Sequence, residues 1–417
     1  MSELQPIEDF DDPTFDPFAP WDGMLDETGD PHAALRALVA RGGPVQEGSA
    51  RELLGFGENQ MISPSTRNFA ILTPDLAREV LSDPDLYSQE AYAEGVRKTF
   101  GRAINQMNPP EHTRYRRVFQ KAFLPHVVAT WSEQFVEPVI NDLVQDLKRD
   151  RKAELVNQFT HRYPFGVIFR QLNMPARDIH TFQKLAETLS QRPRDMSLPG
   201  EASRKLGTYL TALIAERRRN PGPDLISVLV QTEVDGERLP DDVVVSFFRQ
   251  LLNAAGDTTY RATGNLLVGL LRDRPDQYRA LVDDRSFVPK AVEEGMRWNG
   301  PIVAIHRAAT RDVELGGVDI PAGSYLEVMY SSVGHDAEVH EKPDLFDMTR
   351  PAAQKHFSFG YGPHVCIGQH LARLEMNRAL NALLDNFPNL RLDPDYPPPR
   401  ILGWGLRTPP ALHVLLD

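Results

Sequence analysis

The chain of 417 residues has a single cysteine, Cys366. One cysteine excludes an intrachain disulfide and is typical of a reducing compartment. The chain also has no excess of positive charge. Its 46 lysines and arginines stand against 58 acids, a formal net charge of −12, which argues against nucleic acid or an anionic membrane as the main partner. No apolar run is long enough to span a membrane, and the acidic, proline-rich residues 1–20 lack the features of a signal peptide. We therefore expect a cytoplasmic protein.

What the sequence does contain is enough apolar material, 41% of the residues, for a sizeable core. Helical patterns punctuated by proline and glycine cover most of 111–232 and a long segment at about 241–271, whereas strand patterns are short, near 69–72, 313–318 and 325–330. No repeat or low-complexity linker divides the chain. The sequence predicts one mainly α domain over 1–417 with a small β part, an irregular segment at 1–29, and a mobile covering loop at 193–200.

The stretch 356–369 carries the cysteine. Glycines and a proline before Cys366 are typical of a tight turn, and Ile367 and Leu371 after it recur at helical spacing. Cys366 therefore lies where a turn becomes a helix N-terminus, which favours a thiolate. Such a group can be a nucleophile with His364 as its base, a redox thiol or a metal ligand, and a buried structural cysteine is the alternative. A redox thiol has no resolving cysteine here, whereas a haem iron needs only one protein sulfur.

The residues around the cysteine form the motif Phe359-Gly360-x-Gly362-x-His364-x-Cys366-x-Gly368. This motif resembles the haem-binding signature of the cytochromes P450, the haem-thiolate monooxygenases, and further motifs extend the resemblance over about 30–417. The resemblance implies the P450 fold, a triangular helical prism with the haem between the long central helix and the helix that follows the cysteine loop. It also implies haem b (iron protoporphyrin IX), with Cys366 as the axial iron ligand and Phe359, Gly360 and Gly368 beside the cofactor.

The long predicted helix carries an acid and two threonines in apolar surroundings, at a cost in helix propensity. Taken alone, the pattern equally fits a helix that breaks at Gly256 with Asp257 as a cap. Ala254-x-x-Asp257-Thr258 is similar to the family's oxygen-activation motif, which implies that Thr258 hydrogen-bonds dioxygen and Asp257 relays protons. Ala255 stands at a common glycine position, which is expected to narrow the notch for oxygen.

Two further sets of residues resemble family positions. Glu294 and Arg297, three apart on one helix face, together with Arg350 resemble the family's buried triad, which implies that they hold the cysteine loop and do no chemistry. The anionic haem propionates need donors when buried, and four residues match the family's donor positions: His112, Arg116, Arg307 and His364. Alone, each of these would more often be a surface charge.

One segment departs from the family pattern. Gly334-His335-Asp336 stands where relatives usually carry Asn-Arg-Asp. This departure puts in doubt the local hydrogen bonding of that segment and leaves the haem site unaffected.

The resemblance implies a monooxygenase that inserts one oxygen atom of O2 into a C–H bond of a small, largely apolar organic substrate. The chain is too short to add a flavin domain and has no cysteine cluster for iron–sulfur, so we expect electrons from a separate ferredoxin and its reductase. The expected partner is acidic, and the protein is expected to be a monomer. The predicted docking patch consists of Arg114, Arg117, Lys121, Arg373 and Arg378.

Three alternatives remain at this point. A peroxide-driven peroxygenase of the same fold would need no reductase, and the Asp257–Thr258 pair argues against it. A non-enzymatic haem sensor or carrier usually comes with an output module, and none is visible. A helical ligand-binding or scaffold protein without haem would leave the glycine-flanked cysteine unexplained.

No motif encodes the substrate, so the pocket is predicted only by position relative to Thr258 and Arg307. Asn253, one helical turn before Thr258, is more polar than an apolar wall needs. One hypothesis is that it hydrogen-bonds an oxygenated substrate, and the alternative is that it bonds its own backbone. The predicted wall residues are Gln250, Asn253, Ala254, Ile302, Val303, Tyr92, Val96, Phe100, Leu185, Leu189 and Trp404.

Overall fold

The structure is a computed structural model that describes residues 4–11, 28–58, 66–93, 95–190, 197–351, 353 and 355–417. Helices predominate in these residues, as the sequence predicts. The α-helices are α1 (His32–Gly42), α2 (Ala50–Leu53), α3 (Pro74–Ser82), α4 (Val96–Phe100), α5 (Glu111–Phe119), α6 (Pro125–Trp131), α7 (Glu137–Leu147), α8 (Tyr163–Gln171), α9 (Ile179–Thr188), α10 (Ser197–Arg219), α11 (Leu225–Gln231), α12 (Asp241–Val268), α13 (Pro275–Asp283), α14 (Val288–Asn299), α15 (Tyr330–Gly334) and α16 (Gln369–Asn386).

The strands of the described residues are short. They are β1 (Val45–Glu47), β2 (Asn68–Ile71), β3 (Tyr87–Ser88), β4 (Lys152–Glu154), β5 (Glu233–Val234), β6 (Glu237–Arg238), β7 (Ala304–Ala309), β8 (Val313–Leu315), β9 (Val318–Ile320), β10 (Tyr325–Met329), β11 (Arg391–Leu392) and β12 (His413–Leu415). The largest sheet has the order β1-β2-β10-β7-β3, parallel only between β2 and β10. A second sheet joins β11, β12 and β4, while β5–β6 and β8–β9 form separate pairs.

The long helix α12 runs unbroken for 28 residues. Asp241 and Asp242 lie in its first turn, where the helix dipole favours negative charge. Gly256 allows α8 to pack closely, because a Cβ at this position would lie 3.0 Å from the side chain of Phe165. The alternative in which the helix breaks at Gly256 with Asp257 as a cap is therefore wrong.

Some expectations about irregular segments need correction. Within the predicted loop 193–200, residues 197–200 form the start of α10, and residues 193–196 lie outside the described residues. Residues 4–11 and 28–29 of the N-terminal segment contain no helix or strand, and the rest of 1–29 lies outside the described residues. The strand expected at 313–318 is a hairpin of β8 and β9, because Gly316 and Gly317 have φ of 58° and 81°, the left-handed geometry of a tight hairpin turn.

A search of the helices in the described ranges finds no segment long and apolar enough to cross a membrane.

Glu294, Arg297 and Arg350 form a buried ionic cluster. Arg297 Nε and Nη2 donate to the two Glu294 carboxylate oxygens at 2.7 and 2.8 Å, and Arg350 Nε donates to Glu294 Oε1 at 3.2 Å. Arg297 also donates to the carbonyl oxygens of Gly334 and Pro343, both at 2.8 Å. The cluster thus ties α14 to the segment that leads into the cysteine loop. The resemblance implies that these residues hold the loop itself, whereas their hydrogen bonds reach the segment before it.

The segment that departs from the family pattern packs against α1. His335 Nε2 lies 2.7 Å from the carbonyl oxygen of Trp298, and its Nδ1 lies 3.1 Å from Asp344 Oδ1. The ring also stacks on His32, with ring centroids 3.5 Å apart. Asp344 accepts two further bonds from Arg36. A histidine therefore supplies local hydrogen bonding at a position where an arginine is usual.

Replacing Glu294 with glutamine is expected to destabilise the fold strongly. The substitution leaves Arg297, whose side chain is fully buried, without its carboxylate, and an uncompensated buried charge costs about 3–5 kcal/mol. Urea unfolding followed by circular dichroism measures the loss. The matched control is Glu341→Gln, because the Glu341 side chain is 89% exposed. Equal unfolding midpoints for the two variants would contradict the role of the cluster.

Candidate functional site

One cavity of ≈ 280 Å³ lies between α12 and α16. Cys366 contributes to one wall and Thr258 to another, and most of the remaining surface is apolar. The lining residues are Gln89, Tyr92, Asn105, Phe123, Leu251, Ala254, Ala255, Thr258, Thr259, Ala262, Met296, Pro301, Ile302, Ile305, Arg307, Tyr330, Ser358, Phe359, Gly360, His364, Cys366, Ile367, Gly368, Leu371, Ala372, Glu375 and Met376.

Backbone hydrogen bonds fix the cysteine loop. The N–H of Cys366 donates to the carbonyl oxygen of Phe359 at 2.7 Å. The hydroxyl of Ser358 donates to the carbonyl oxygen of Met296 at 2.7 Å, which ties the loop to α14. The loop is thus held by its own backbone and by the helix that carries the ionic cluster.

The glycines of the motif have specific geometric roles. Gly360 and Gly362 have φ of 77° and 71°, a region that side chains other than glycine rarely adopt. A Cβ at Gly362 would also collide with the carbonyl oxygen of Leu81. The loop therefore turns tightly and packs against the end of α3.

The chain surrounds Cys366. The residue nevertheless keeps solvent-accessible surface, because its sulfur faces the cavity. Burial raises the pKa of the Cys366 thiol, while the N–H of Gly368 and the charges of Arg116 and Arg373 oppose that rise. The low pKa expected from the helix start is therefore outweighed by burial. Binding of a metal ion to this sulfur would be coupled to the loss of its proton.

Two of the four predicted propionate donors, Arg307 and His364, line the cavity, and His112 and Arg116 contact the cysteine loop beside them. The rings of His112 and His364 stack with centroids 3.8 Å apart. Arg116 Nη2 donates to the carbonyl oxygen of Val365 at 2.7 Å. Arg307 is 3% exposed, and its Nη1 donates to the carbonyl oxygen of residue 306 at 2.9 Å.

This cationic edge fits an anionic ligand. Burial, followed by the charges of Arg116 and Arg307, lowers the pKa of His112 to about 4. Burial and the same neighbours, together with His112, lower the pKa of His364 to about 2. His112 Nδ1 is buried with no hydrogen-bond partner in the described part of the chain. The charges of Arg116 and Arg307 beside an orphaned histidine nitrogen indicate that a negative group belongs here, which matches the carboxylates of a haem.

On the α12 wall, Asp257 and Thr258 have different environments. The Thr258 hydroxyl donates to the carbonyl oxygen of Ala254 at 2.9 Å, and the residue lines the cavity. Asp257 is buried, does not line the cavity, and accepts from Arg261 Nε at 2.9 Å. Its carboxylate is therefore engaged by a cation one turn further along the helix.

Of the predicted pocket residues, Tyr92, Ala254 and Ile302 line the cavity. The other eight do not. Most of these eight residues pack in apolar clusters away from the cavity, because the helix and sheet faces that carry them point away from it. The eight are Gln250, Asn253, Val303, Val96, Phe100, Leu185, Leu189 and Trp404.

The side chain of Asn253 does not bond its own backbone through the amide nitrogen, so that alternative is wrong. Its Nδ2 donates to the carbonyl oxygen of Ala186 at 2.8 Å and to the hydroxyl of Ser190 at 2.9 Å. The amide therefore satisfies the end of α9 and links that helix to α12. Asn253 does not line the cavity, and a hydrogen bond from it to a substrate stays a prediction.

Many lining residues escaped the sequence analysis, among them the polar residues Gln89, Tyr330 and Glu375. In the amide orientation that turns its oxygen towards Arg307 Nε and His364 Nε2, Gln89 accepts from both at 3.2 Å. Tyr330 is buried, which raises the pKa of its phenol. Glu375 lies on α16. Isolated polar residues without a motif give little sign of position.

Comparisons with known proteins agree with this geometry. A family model described as cytochrome P450 matches residues 56–416. The chain is 36% identical over 328 residues to a vitamin D3 dihydroxylase of Streptomyces griseolus, covering 76% of this chain and 80% of that protein. It is 34% identical over 328 residues to the erythromycin C-12 hydroxylase of Saccharopolyspora erythraea, covering 76% and 81%.

Among solved structures, that of CYP109E1 from Bacillus megaterium in complex with testosterone superposes with a TM-score of 0.81 at 25% identity, covering 93% of this chain and 99% of that one. The chain therefore belongs to the cytochrome P450 family, an enzyme family that binds haem and uses O2 with small-molecule substrates.

The pH dependence of stability in haem-free protein should report on His112. An unfolded histidine has a pKa of about 6.5, above the folded value of about 4. Between these values the unfolded state binds the extra proton, so stability is present above the unfolded pKa and falls as the pH drops through this window. His112→Gln should make the slope of unfolding free energy against pH shallower by up to one proton in urea titrations. An unchanged slope would show that His112 is charged in the folded protein.

Proposed function

We propose that this protein is a haem-thiolate monooxygenase that inserts one oxygen atom of O2 into a C–H bond of a small, largely apolar substrate. The observation that carries the proposal is the placement of the Cys366 sulfur on the wall of a cavity that Thr258 also lines, with a buried cationic edge beside it. Hydroxylases among the relatives support the reaction class.

The cofactor is haem b, held by groups on two sides. Cys366 would ligate the iron, and the edge formed by His112, Arg116, Arg307 and His364 would hold the carboxylates through hydrogen bonds. When bound, the haem supplies the activation of dioxygen and the oxidising power. Phe359, Gly360 and Gly368 would provide the surface beside it. All of 1–417 would serve as one domain around this site.

Protons would be supplied from α12. Because the Thr258 hydroxyl donates to its own helix, its lone pairs remain available to accept a hydrogen bond from the cavity. Asp257 is held by Arg261, so delivery of a proton from this acid requires the carboxylate to exchange partners. Arg261 would therefore set how often Asp257 reaches Thr258. The intact pair supports a monooxygenase over a peroxide-driven enzyme.

The substrate is expected to be mostly apolar. Ala254, Leu251, Ile302 and Ile305 form much of the wall, and Tyr92 already accepts from the N–H of residue 306. The relatives are named for the hydroxylation of vitamin D3 and erythromycin, and the solved neighbour holds testosterone. These names support an organic small molecule as the substrate of this chain as well.

Electrons would come from a separate ferredoxin-type donor. The predicted docking patch is reduced, because three of its five cations are paired: Arg114 with Asp235 and Glu237, Arg373 with Glu293, and Arg378 with Glu137. Arg117 and Lys121 are exposed, and within the described residues neither forms an ion pair. These two cations, four residues apart, are the proposed contact for an acidic partner.

The carbon monoxide difference spectrum of the reduced, haem-loaded protein tests the function. A strongly red-shifted Soret band is expected, because it marks thiolate ligation. Cys366→Ala should lose this band, whereas Thr258→Ala should keep it, since Thr258 lies on another wall. A colourless protein after reconstitution with haemin, or an unchanged band in Cys366→Ala, would refute the proposal.

Charge reversal tests the partner surface. The double variant Arg117→Glu/Lys121→Glu should slow reduction by a ferredoxin about tenfold at low salt, and the difference should shrink as ionic strength rises. The measurement is stopped-flow reduction under carbon monoxide. Arg311→Glu/Arg400→Glu is the matched control, since both residues are exposed and the net charge changes equally. Equal rates for the two double variants would place the contact elsewhere.

A further inference from the structure

The α16 wall of the cavity is apolar except for one acid. Leu371, Ala372, Glu375 and Met376 all line the cavity, at the spacings that place residues on one helix face. Glu375 is 2% exposed. Within the residues that the structure describes, its carboxyl group forms no hydrogen bond and no ion pair. An acid in this position has no part in the functions assigned above.

The surroundings of Glu375 do not suit a carboxylate. Burial raises the pKa of Glu375 far above its usual range, and no cation opposes that rise. Tyr163, whose phenol lies within electrostatic range of Glu375, is bonded to the Thr263 hydroxyl at 2.5 Å. A buried carboxylate without a cation or donor is strongly disfavoured.

Another acid near the cysteine loop shows the contrast. Glu293, on α14, is also shielded from water, which by itself would raise its pKa. Hydrogen bonds from His356 and Arg373 outweigh that burial and lower the pKa of Glu293 to about 2. The distance from Arg373 Nε to Glu293 Oε1 is 2.5 Å. Glu293 is therefore the charged acid of the pair, and Glu375 is the neutral one.

A neutral carboxylic acid has one O–H donor, and buried donors are almost always hydrogen-bonded. The described residues supply no acceptor for Glu375, and what remains accessible of its side chain belongs to the cavity wall. The acceptor therefore lies inside the cavity.

We propose that Glu375 is a neutral acid that donates its O–H to an oxygen acceptor inside the cavity and thereby positions that acceptor. The acceptor is the oxygen of an ordered water, because the carboxylates of the haem are assigned to the edge formed by Arg116, Arg307 and the two histidines. Glu375 keeps its proton, because the carboxylate left behind would have no counter-charge. It is thus a positioning residue, unlike Asp257. The inference rests on the proposed function only in taking the cavity as a haem site.

Infrared spectroscopy of the folded protein tests the protonation state directly. A carbonyl stretch of a protonated, hydrogen-bonded carboxylic acid is expected at neutral pH and at pH values well above the usual range of glutamic acid. Glu375→Gln should remove this band while retaining a neutral donor, and Glu375→Met should also remove it if the glutamine variant folds poorly. The matched control is Glu293→Gln, which should leave the band in place.

The outcomes separate the possibilities. A band unchanged in both Glu375 variants would mean that Glu375 is ionised. A band at the frequency of a carboxylic acid without a hydrogen bond would mean that Glu375 donates to nothing. Either result overturns the proposal. A band that keeps its frequency when haemin is added is expected for a water acceptor, and a band that shifts would assign the acceptor to haem and overturn the assignment to water. If the protein failed to bind haem, the proposed function would fall while the band in haem-free protein would still test Glu375.

Discussion

The site depends on keeping the Cys366 thiol and the cations Arg116 and Arg307 beside the same cavity. Cys366 is held by its backbone N–H and by the bond from Ser358 to α14, and the cationic edge is held by α5, β7 and the cysteine loop. Burial, together with the neighbouring charges of Arg116 and Arg307, lowers the pKa values of His112 and His364, so both rings are neutral there. Like charges in a low-dielectric interior also repel. The rest of the fold supplies the rigidity that this arrangement needs, and an anionic ligand relieves the repulsion.

That rigidity comes from two long-range ties to the cysteine loop. The Glu294 cluster bonds α14 to the segment before the loop, and the same helix accepts the Ser358 hydroxyl. On the other wall, α12 remains unbroken, and two of its polar residues find partners on the helix itself: Asp257 is bonded by Arg261, and Thr258 donates to the carbonyl oxygen one turn earlier. Polar groups that are costly in a helix interior are tolerated when their partners lie on the same helix.

Features formed by residues that are close together in the chain could be predicted from the sequence, whereas features formed by distant residues could not. The tight turn at Gly360 and Gly362, the long helix and the pairing of Glu294 with Arg297 all involve residues close together in the chain. The pocket walls were predicted less well, although helix geometry explains the error: at 100° per residue, Leu251, Ala254 and Thr258 share an arc that excludes Gln250 and Asn253. The ion pair between Arg373 and Glu293, 80 residues away, has no local signal. The docking patch predicted from charges alone therefore includes cations that are paired.

For the two acids near the cavity, Asp257 and Glu375, a paired cation decides the proposed function more than the type of residue does. Asp257 has a cation one helical turn away, and its carboxylate accepts a hydrogen bond from Arg261 Nε. Among the described residues Glu375 has no such cation, and its ionised form would be left bare in an apolar wall. In the proposed function, the acid in the first environment supplies protons, whereas the acid in the second keeps its proton and donates a hydrogen bond. The proposed proton supply therefore comes from the α12 side, where Arg261 holds the acid, and the α16 side provides a fixed donor.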